Sequence, residues 1–135
     1  MNKKVSIITV NYNGVTDTCE MIESLKQHEN YPYELIVVDN GSASLNDYTL
    51  LKEKYPDAKV IRNDINLGFA EGNNIGVKQA TGDYLFFLNN DTIITRPILE
   101  ILVKRLDSDE KIGCVSPKTT FWPQNNKLQY AGATP

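Results

Sequence analysis

Histidine and cysteine are scarce in this chain: His28 is the single histidine and Cys19 and Cys114 the two cysteines among 135 residues. They form no C-x-x-C pair and cannot assemble a zinc set. Two widely separated thiols read as buried side chains in a reducing compartment. No apolar run approaches the roughly 18 residues of a membrane span, and the six apolar-leaning residues after Lys4 are too few for a secretory leader. Positive charge is not in excess. With 14 Lys and Arg against 17 Asp and Glu, the net charge of −3 argues against a nucleic-acid partner, which usually meets a basic stripe. The sequons Asn40-Gly41-Ser42 and Asn90-Asp91-Thr92 have no consequence without a leader. Repeats, low-complexity tracts and linkers are absent. The expected setting is the cytoplasm, or the inner face of the membrane for a full-length protein. A composition of 41% hydrophobic and 23% charged residues suits one domain with a buried core, spanning residues 1–135.

What the chain has is three apolar runs, each ending in a cluster of Asn, Asp and Gly. Val5–Val10 runs into Asn11-Tyr12-Asn13-Gly14, Leu35–Val38 into Asp39-Asn40-Gly41-Ser42, and Tyr84–Leu88 into Asn89-Asn90-Asp91. Near-continuous runs of this kind mark a parallel sheet covered on both faces. Polar clusters at the strand ends mark the rim where such sheets bind ligands. The expected strands are Val5–Val10, Glu34–Asp39, Ala58–Arg62, Asp83–Leu88 and Ile112–Ser116. The expected helices are Val15–Gln27, Leu45–Lys54, Phe69–Gln79 and Thr95–Asp107, the last capped by Thr95 with Pro97 in its first turn. Strand and helix alternate, so the fold class is α/β: three layers with a mostly parallel sheet and right-handed crossovers. Gly72, Gly76 and Ala80 recur every four residues. A helix that accepts two interior glycines, at roughly 1 kcal/mol each against alanine, needs a close approach to its neighbour.

Three clusters carry chemistry. Asp39 sits at a strand's carboxyl end, where an acid commonly accepts from a ribose or base edge; a simple turn residue fits the same position. The Asn89-Asn90-Asp91 cluster offers a carboxylate and neighbouring amide oxygens, which suit Mg²⁺ or Mn²⁺ when substrate phosphates complete the shell. It reads equally as a loop entering the next helix. Asn66 through Gly76 places a glycine-bearing turn at a helix start, where free amides suit an anion, with Asn73 and Asn74 on a polar task or merely on a wet face. It fits neither G-x-G-x-x-G nor the P-loop pattern.

Taken in order, Val5–Gly14, Val37–Ser42, Asn66–Ala70 with Gly72–Gly76, and Gly82–Asp91 resemble family 2 glycosyltransferases of the GT-A fold, with rhamnosyltransferase-like members the nearest in pattern. The resemblance implies a UDP- or dTDP-sugar donor, a glycan or lipid-linked acceptor, and Mg²⁺ or Mn²⁺. It implies that Val10, Asn11 and Tyr12 border the base and ribose, that Asp39 holds the nucleoside, and that Asn66 and Gly68 lie near the base or diphosphate. In place of the family's D-x-D motif stands Asn89-Asn90-Asp91, with Asp91 as metal ligand and Asn89 at the first acidic position. Asn89 and Asn90 would reach the ribose or metal-bound water. Family members of this type usually invert the anomeric centre, which requires a general base. That base and the acceptor wall are expected beyond residue 135, so the chain reads as the donor-binding part of a GT-A domain. Asp107, Asp109 and Glu110 read as solvated charge.

Rival readings are a non-catalytic nucleotide-binding or assembly module, a nucleotidyltransferase and a methyltransferase. The second lacks a Gly-rich basic loop after strand one. The third would carry its glycine motif after the first strand, not the second. Phe121, Trp122 and Tyr130 would contact an acceptor or pack a hairpin or interface. An open sheet edge after Ser116 would favour a homodimer.

Overall fold

A computed structural model describes residues 3–121, 123 and 127–130. The order is β1 (Val5–Asn11), α1 (Val15–His28), β2 (Tyr33–Asn40), α2 (Leu45–Lys54), β3 (Lys59–Asn63), α3 (Phe69–Val77), β4 (Tyr84–Phe87), α4 (Leu99–Asp107), β5 (Thr119–Thr120) and β6 (Leu128–Tyr130). The first four strands form a parallel sheet in the order β3-β2-β1-β4. The chain steps outward from β1 to β3 and then returns to pair β4 on the other side of β1. The direction of winding therefore reverses between β1 and β4, and a crevice opens at their carboxyl ends.

Both faces of the sheet are covered, so β1 and β2 carry apolar residues on both sides, Val5, Ile7, Leu35 and Val37 on one and Ile8, Ile36 and Val38 on the other. Val5, Ile7, Leu35 and Val37 pack with Met21, Ile22 and Leu25 of α1, Leu51 of α2, and Leu99 and Val103 of α4. Ile8, Ile36 and Val38 face the other way, toward Ile61, Ile75, Val77 and Ala80. Helix α3 alone covers that side, and it lies close. A Cβ on Gly76 would fall 2.4 Å from Cγ2 of Ile8, and one on Gly72 3.1 Å from Cγ1 of Val10. The small-residue spacing thus serves the close approach expected of it, although Ala80 lies beyond the helix end.

Three expectations are corrected. Helix α4 begins at Leu99, not Thr95, and its N-cap residue is Ile98, without a side-chain cap of its own. The cap comes from Glu29 at the end of α1: its Oε2 accepts from the amides of Ile98 at 2.9 Å and Leu99 at 3.0 Å. The segment Ile112–Ser116 forms no strand and buries none of its residues, leaving Cys114 exposed; Cys19 is half-buried. A run this short, with Gly113 inside and Pro117 behind, holds a strand only if an edge receives it. The described sheet therefore has four strands, and β4 is an edge. Leu85 and Phe87 on its α3 side are 44% and 52% exposed. Beyond it, β5 and β6 pair antiparallel, joined by the amide of Phe121 donating to Lys127 O at 2.9 Å. Phe121 and Tyr130 belong to that hairpin, while Trp122 lies outside the described residues. Asp107 bonds Lys3 at 2.5 Å at the amino-terminal end of the sheet. Among the described residues no helix is long and apolar enough to cross a membrane.

Candidate active site: a cleft at the strand ends

A cleft of about 480 Å³ opens at the carboxyl ends of β1, β2 and β4. Val10 and Tyr12 line it from β1, and Asn40 from β2. Asn66, Gly68 and Phe69 line it from the β3–α3 turn, and Asn89, Asn90 and Asp91 from the end of β4. Asp39 and Asp91, read from separate runs, thus stand at one end of the sheet. Among the described residues Asp91 is the only charged one on this wall.

Side chains alternate along a strand, and that alternation divides the polar rim in two. Val10, Tyr12 and Asn40 belong to the cleft. Asn11 and Asp39, paired in register across β1 and β2, are fully buried on the α1–α2 side. Asp39 accepts from Asn11 Nδ2 at 3.0 Å, from Arg62 at 2.5 Å and from the Ser42 hydroxyl. Arg62 stands opposite Asp39 in the β2–β3 register and also donates to Ser42 O at 3.1 Å. Asn11 Nδ2 reaches Asp47 of α2 at 3.3 Å, and its Oδ1 accepts from Thr18 of α1 at 2.8 Å. So Asn11 and Asp39 do not line the cleft; they tie its floor together.

Asn40 organises the next layer. Its Nδ2 donates to Asn66 Oδ1 at 2.9 Å and Gly68 O at 3.0 Å; its Oδ1 accepts from Asn63 at 2.8 Å. The turn after β3 is thereby fixed against β2. Gly41, at φ +74°, lets the two backbones touch: a Cβ there would lie 2.3 Å from the carbonyl carbon of Ile65. Gly68, at φ +83°, opens α3 and leaves that helix's first amides toward the cleft end. Asn73 lies off the wall and donates to Phe69 O at 2.9 Å. Tyr12 and Phe69, 49% and 65% exposed, give the cleft two aromatic sides.

The β4 loop is held from α1. Asn90 Nδ2 donates to Thr18 Oγ1 at 3.0 Å, the Ile94 amide to Ser24 Oγ at 3.0 Å, and Glu29 receives the start of α4. Burial pushes the Glu29 carboxyl up, but four backbone amides outweigh it and hold the group below its ordinary value. The Asp91 carboxylate makes no hydrogen bond to a described residue. Among the described residues no three His, Cys, Asp or Glu side chains converge. One carboxylate flanked by amide oxygens is a donor set for a hard divalent cation that takes its remaining ligands from phosphate and water.

Reading by residue type missed Asn40, Phe69 and Arg62. Asn40 shares its side of the sheet with Val10 by alternation, and Arg62 faces Asp39 by register. Phe69, an exposed aromatic at a helix start, carried no such signal.

Known proteins share this arrangement. Crystal structures of S. aureus TarS 1-349, among them complexes with UDP and UDP-GlcNAc, superimpose with a TM-score of 0.68 at 27% identity, covering 79% of this chain and 32–33% of theirs. The mannosyltransferase PcManGT of Pyrobaculum calidifontis, in complex with GDP-Man and Mn²⁺, shares the fold with a TM-score of 0.61 at 22% identity, over 69% of this chain and 29% of its own. The uncharacterized glycosyltransferase YwdF of Bacillus subtilis is 32% identical over 132 residues, 93% of this chain; the chain spans 49% of that relative's length. The sequence pattern of glycosyl transferase family 2 matches residues 6–130, so with its parallel α/β sheet of GT-A type the chain belongs to that family.

Proposed function

We propose that the cleft holds the nucleotide-sugar donor of a glycosyl transfer reaction, with a UDP- or dTDP-sugar as donor and a glycan or lipid-linked acceptor. The observation that carries this is the cleft wall. Three strand ends and a helix N-terminus converge on it, and its only charge among the described residues is the negative Asp91. A base fits between Tyr12 and Phe69, while Asn66 and Gly68 border it at the turn. A diphosphate beside Asp91 requires a counter-cation, and Mg²⁺ or Mn²⁺ held by Asp91, with Asn89 and Asn90 alongside, would meet that need. Bound there, the cation would neutralise charge on the departing diphosphate. The amides opening α3 would favour the same anion.

The reaction is a displacement at the anomeric carbon. The acceptor oxygen forms a bond there, the C–O bond to the diphosphate breaks with its electron pair, and a general base takes the acceptor proton. We assign neither the base nor the acceptor wall to a residue of this cleft, whose part is donor binding. In the competing reading, a non-catalytic nucleotide-binding module, the same cleft binds without turnover.

Thermal stability measured against UDP, dTDP and their sugars, with and without Mn²⁺, tests the proposal. A ligand at a hundredfold excess over Kd adds roughly 2.7 kcal/mol to apparent stability. Asp91→Asn should abolish the Mn²⁺-dependent part alone. If no nucleotide stabilises the chain under either condition, the donor-site reading fails.

A further inference from the structure

A single line of hydrogen bonds runs from the buried Asp39–Arg62 pair to the cleft wall, and its direction is chemically forced. Asp39 beside Arg62 only accepts, so Asn11 must turn its Nδ2 toward it, at 3.0 Å. Asn11 Oδ1 is then an acceptor on its other side, and the Thr18 hydroxyl donates to it at 2.8 Å, with Gly14 O, which also can only accept, at 3.1 Å. A hydroxyl has one proton, so Thr18 Oγ1 can only accept from Asn90, which presents Nδ2 at 3.0 Å. The amide of Asn90 therefore leaves Oδ1, with no partner among the described residues, at the cleft wall. Gly14 keeps this path open: a Cβ there would lie 3.1 Å from Asn90 Nδ2.

We propose that Thr18 is a positioning residue, which holds Asn90 with its carbonyl oxygen turned into the cleft, so that Asn90 meets electropositive ligand groups through Oδ1. The polarity originates at Asp39 and Arg62, on the far side of β1. The ligand chemistry is a cation or a hydroxyl proton. Thr18 itself does not line the cleft.

The test compares the full chain with Thr18→Val, which keeps the shape and deletes the hydroxyl, and Thr18→Ser, which restores it. The first readout is solvent exchange of side-chain amide protons by NMR without ligand. The Asn90 proton bonded to Thr18 should exchange more slowly than those of Asn89, lose that protection in T18V and keep it in T18S. Asn40, bonded to Asn66 and Gly68, should stay protected in all three and report that the fold is intact. Unprotected Asn90 protons in the parent chain, or protection unchanged in T18V, overturn the proposal. The second readout, which rests on the donor-site reading, is UDP affinity with and without Mn²⁺. T18V should weaken it about threefold to tenfold, the effect of one net hydrogen bond, and T18S should recover most of the loss. A loss only with Mn²⁺ assigns Asn90 to the cation; an equal loss in both assigns it to a ribose hydroxyl. If T18V binds UDP like the parent chain, or T18S like T18V, the hydroxyl is not the agent. If the parent chain binds no UDP, the donor-site reading falls and the exchange readout alone decides.

Discussion

Replacing Gly76 by alanine tests how tightly α3 is seated on the sheet. The added Cβ would lie 2.4 Å from Cγ2 of Ile8, more than 1 Å inside an ordinary carbon contact of about 3.5–4.0 Å. Cγ2 is a branch on a fully buried, β-branched side chain. It cannot swing aside without an off-rotamer χ1, so the helix must lift or the isoleucine must strain. Overpacking of this kind costs about 1–3 kcal/mol, and the short distance places it at the upper end. Alanine's helix preference returns at most about 1 kcal/mol, and less at the next-to-last residue of α3. The expected net loss is about 2 kcal/mol.

Gly72→Ala is the matched control. It sits in the interior of the same helix, where the propensity gain is the larger of the two, but its Cβ would meet the Val10 methyls at 3.1 and 3.2 Å, a gap that a few tenths of an ångström relieves. That variant should stay within about 0.5 kcal/mol of the parent. Urea titration reads both as shifts in midpoint at unchanged m-value. Ile8→Leu removes the γ2 branch, so G76A in that background should lose at least about 1 kcal/mol less than alone. Equal shifts from the two alanines, or strict additivity with I8L, would refute the close-approach argument.

Two further outcomes follow from the polar network. Arg62→Ala strips the partner from Asp39, whose side chain is 0% exposed, and should cost about 3–5 kcal/mol by calorimetry; Arg62→Lys should recover only part, because one ammonium cannot span both Asp39 and Ser42 O. For Glu34, burial raises the carboxyl pKa, but bonds from Ser6, Thr81 and Lys4 outweigh it and bring the group from 4.5 down to about 2. A carboxyl lowered in the folded state stabilises above its unfolded value and loses that contribution as pH falls. Stability should therefore drop between pH 4.5 and 2, and Glu34→Gln should flatten that window in pH-resolved denaturation; an identical slope in the variant would remove Glu34 from the account.

The strands were readable because burial on both faces leaves a mark at every residue. Leu35–Val38 is wholly apolar, and Val5–Val10 is interrupted only by the small hydroxyl residues Ser6 and Thr9. Helix α3 was readable through its glycines, since few other pressures place two in one short helix. Helix α4 misled because its cap is not local. Glu29 lies 70 residues before Leu99, and Thr95 looked like the capping residue only to a reading confined to neighbours. Ile112–Ser116 has strand composition, but composition cannot supply a partner edge. In the cleft, Asn89-Asn90-Asp91 and Tyr12 were visible as the residues where apolar runs stop. The division of labour between Asn11 and Tyr12, or Asp39 and Asn40, depends on the pleat. It becomes readable once each run is accepted as a strand and its alternate residues are sent to opposite faces.

That division also explains why polar residues are concentrated here in numbers that no ligand alone would require. A buried amide or carboxylate without a partner costs about 1–3 kcal/mol or more, so the layer beneath the cleft must be complete before any ligand arrives. It is complete at Asn11 and Asp39: every polar atom of both side chains has a partner. The layer above is left open at Asp91, which bonds to no described residue, and at Asn90 Oδ1. A floor satisfied from within has no reason to rearrange on binding, and an unsatisfied wall resting on it presents its oxygens at fixed positions. Rigid support beneath and unmet acceptors above are what a site must combine to hold a charged ligand without first reorganising itself.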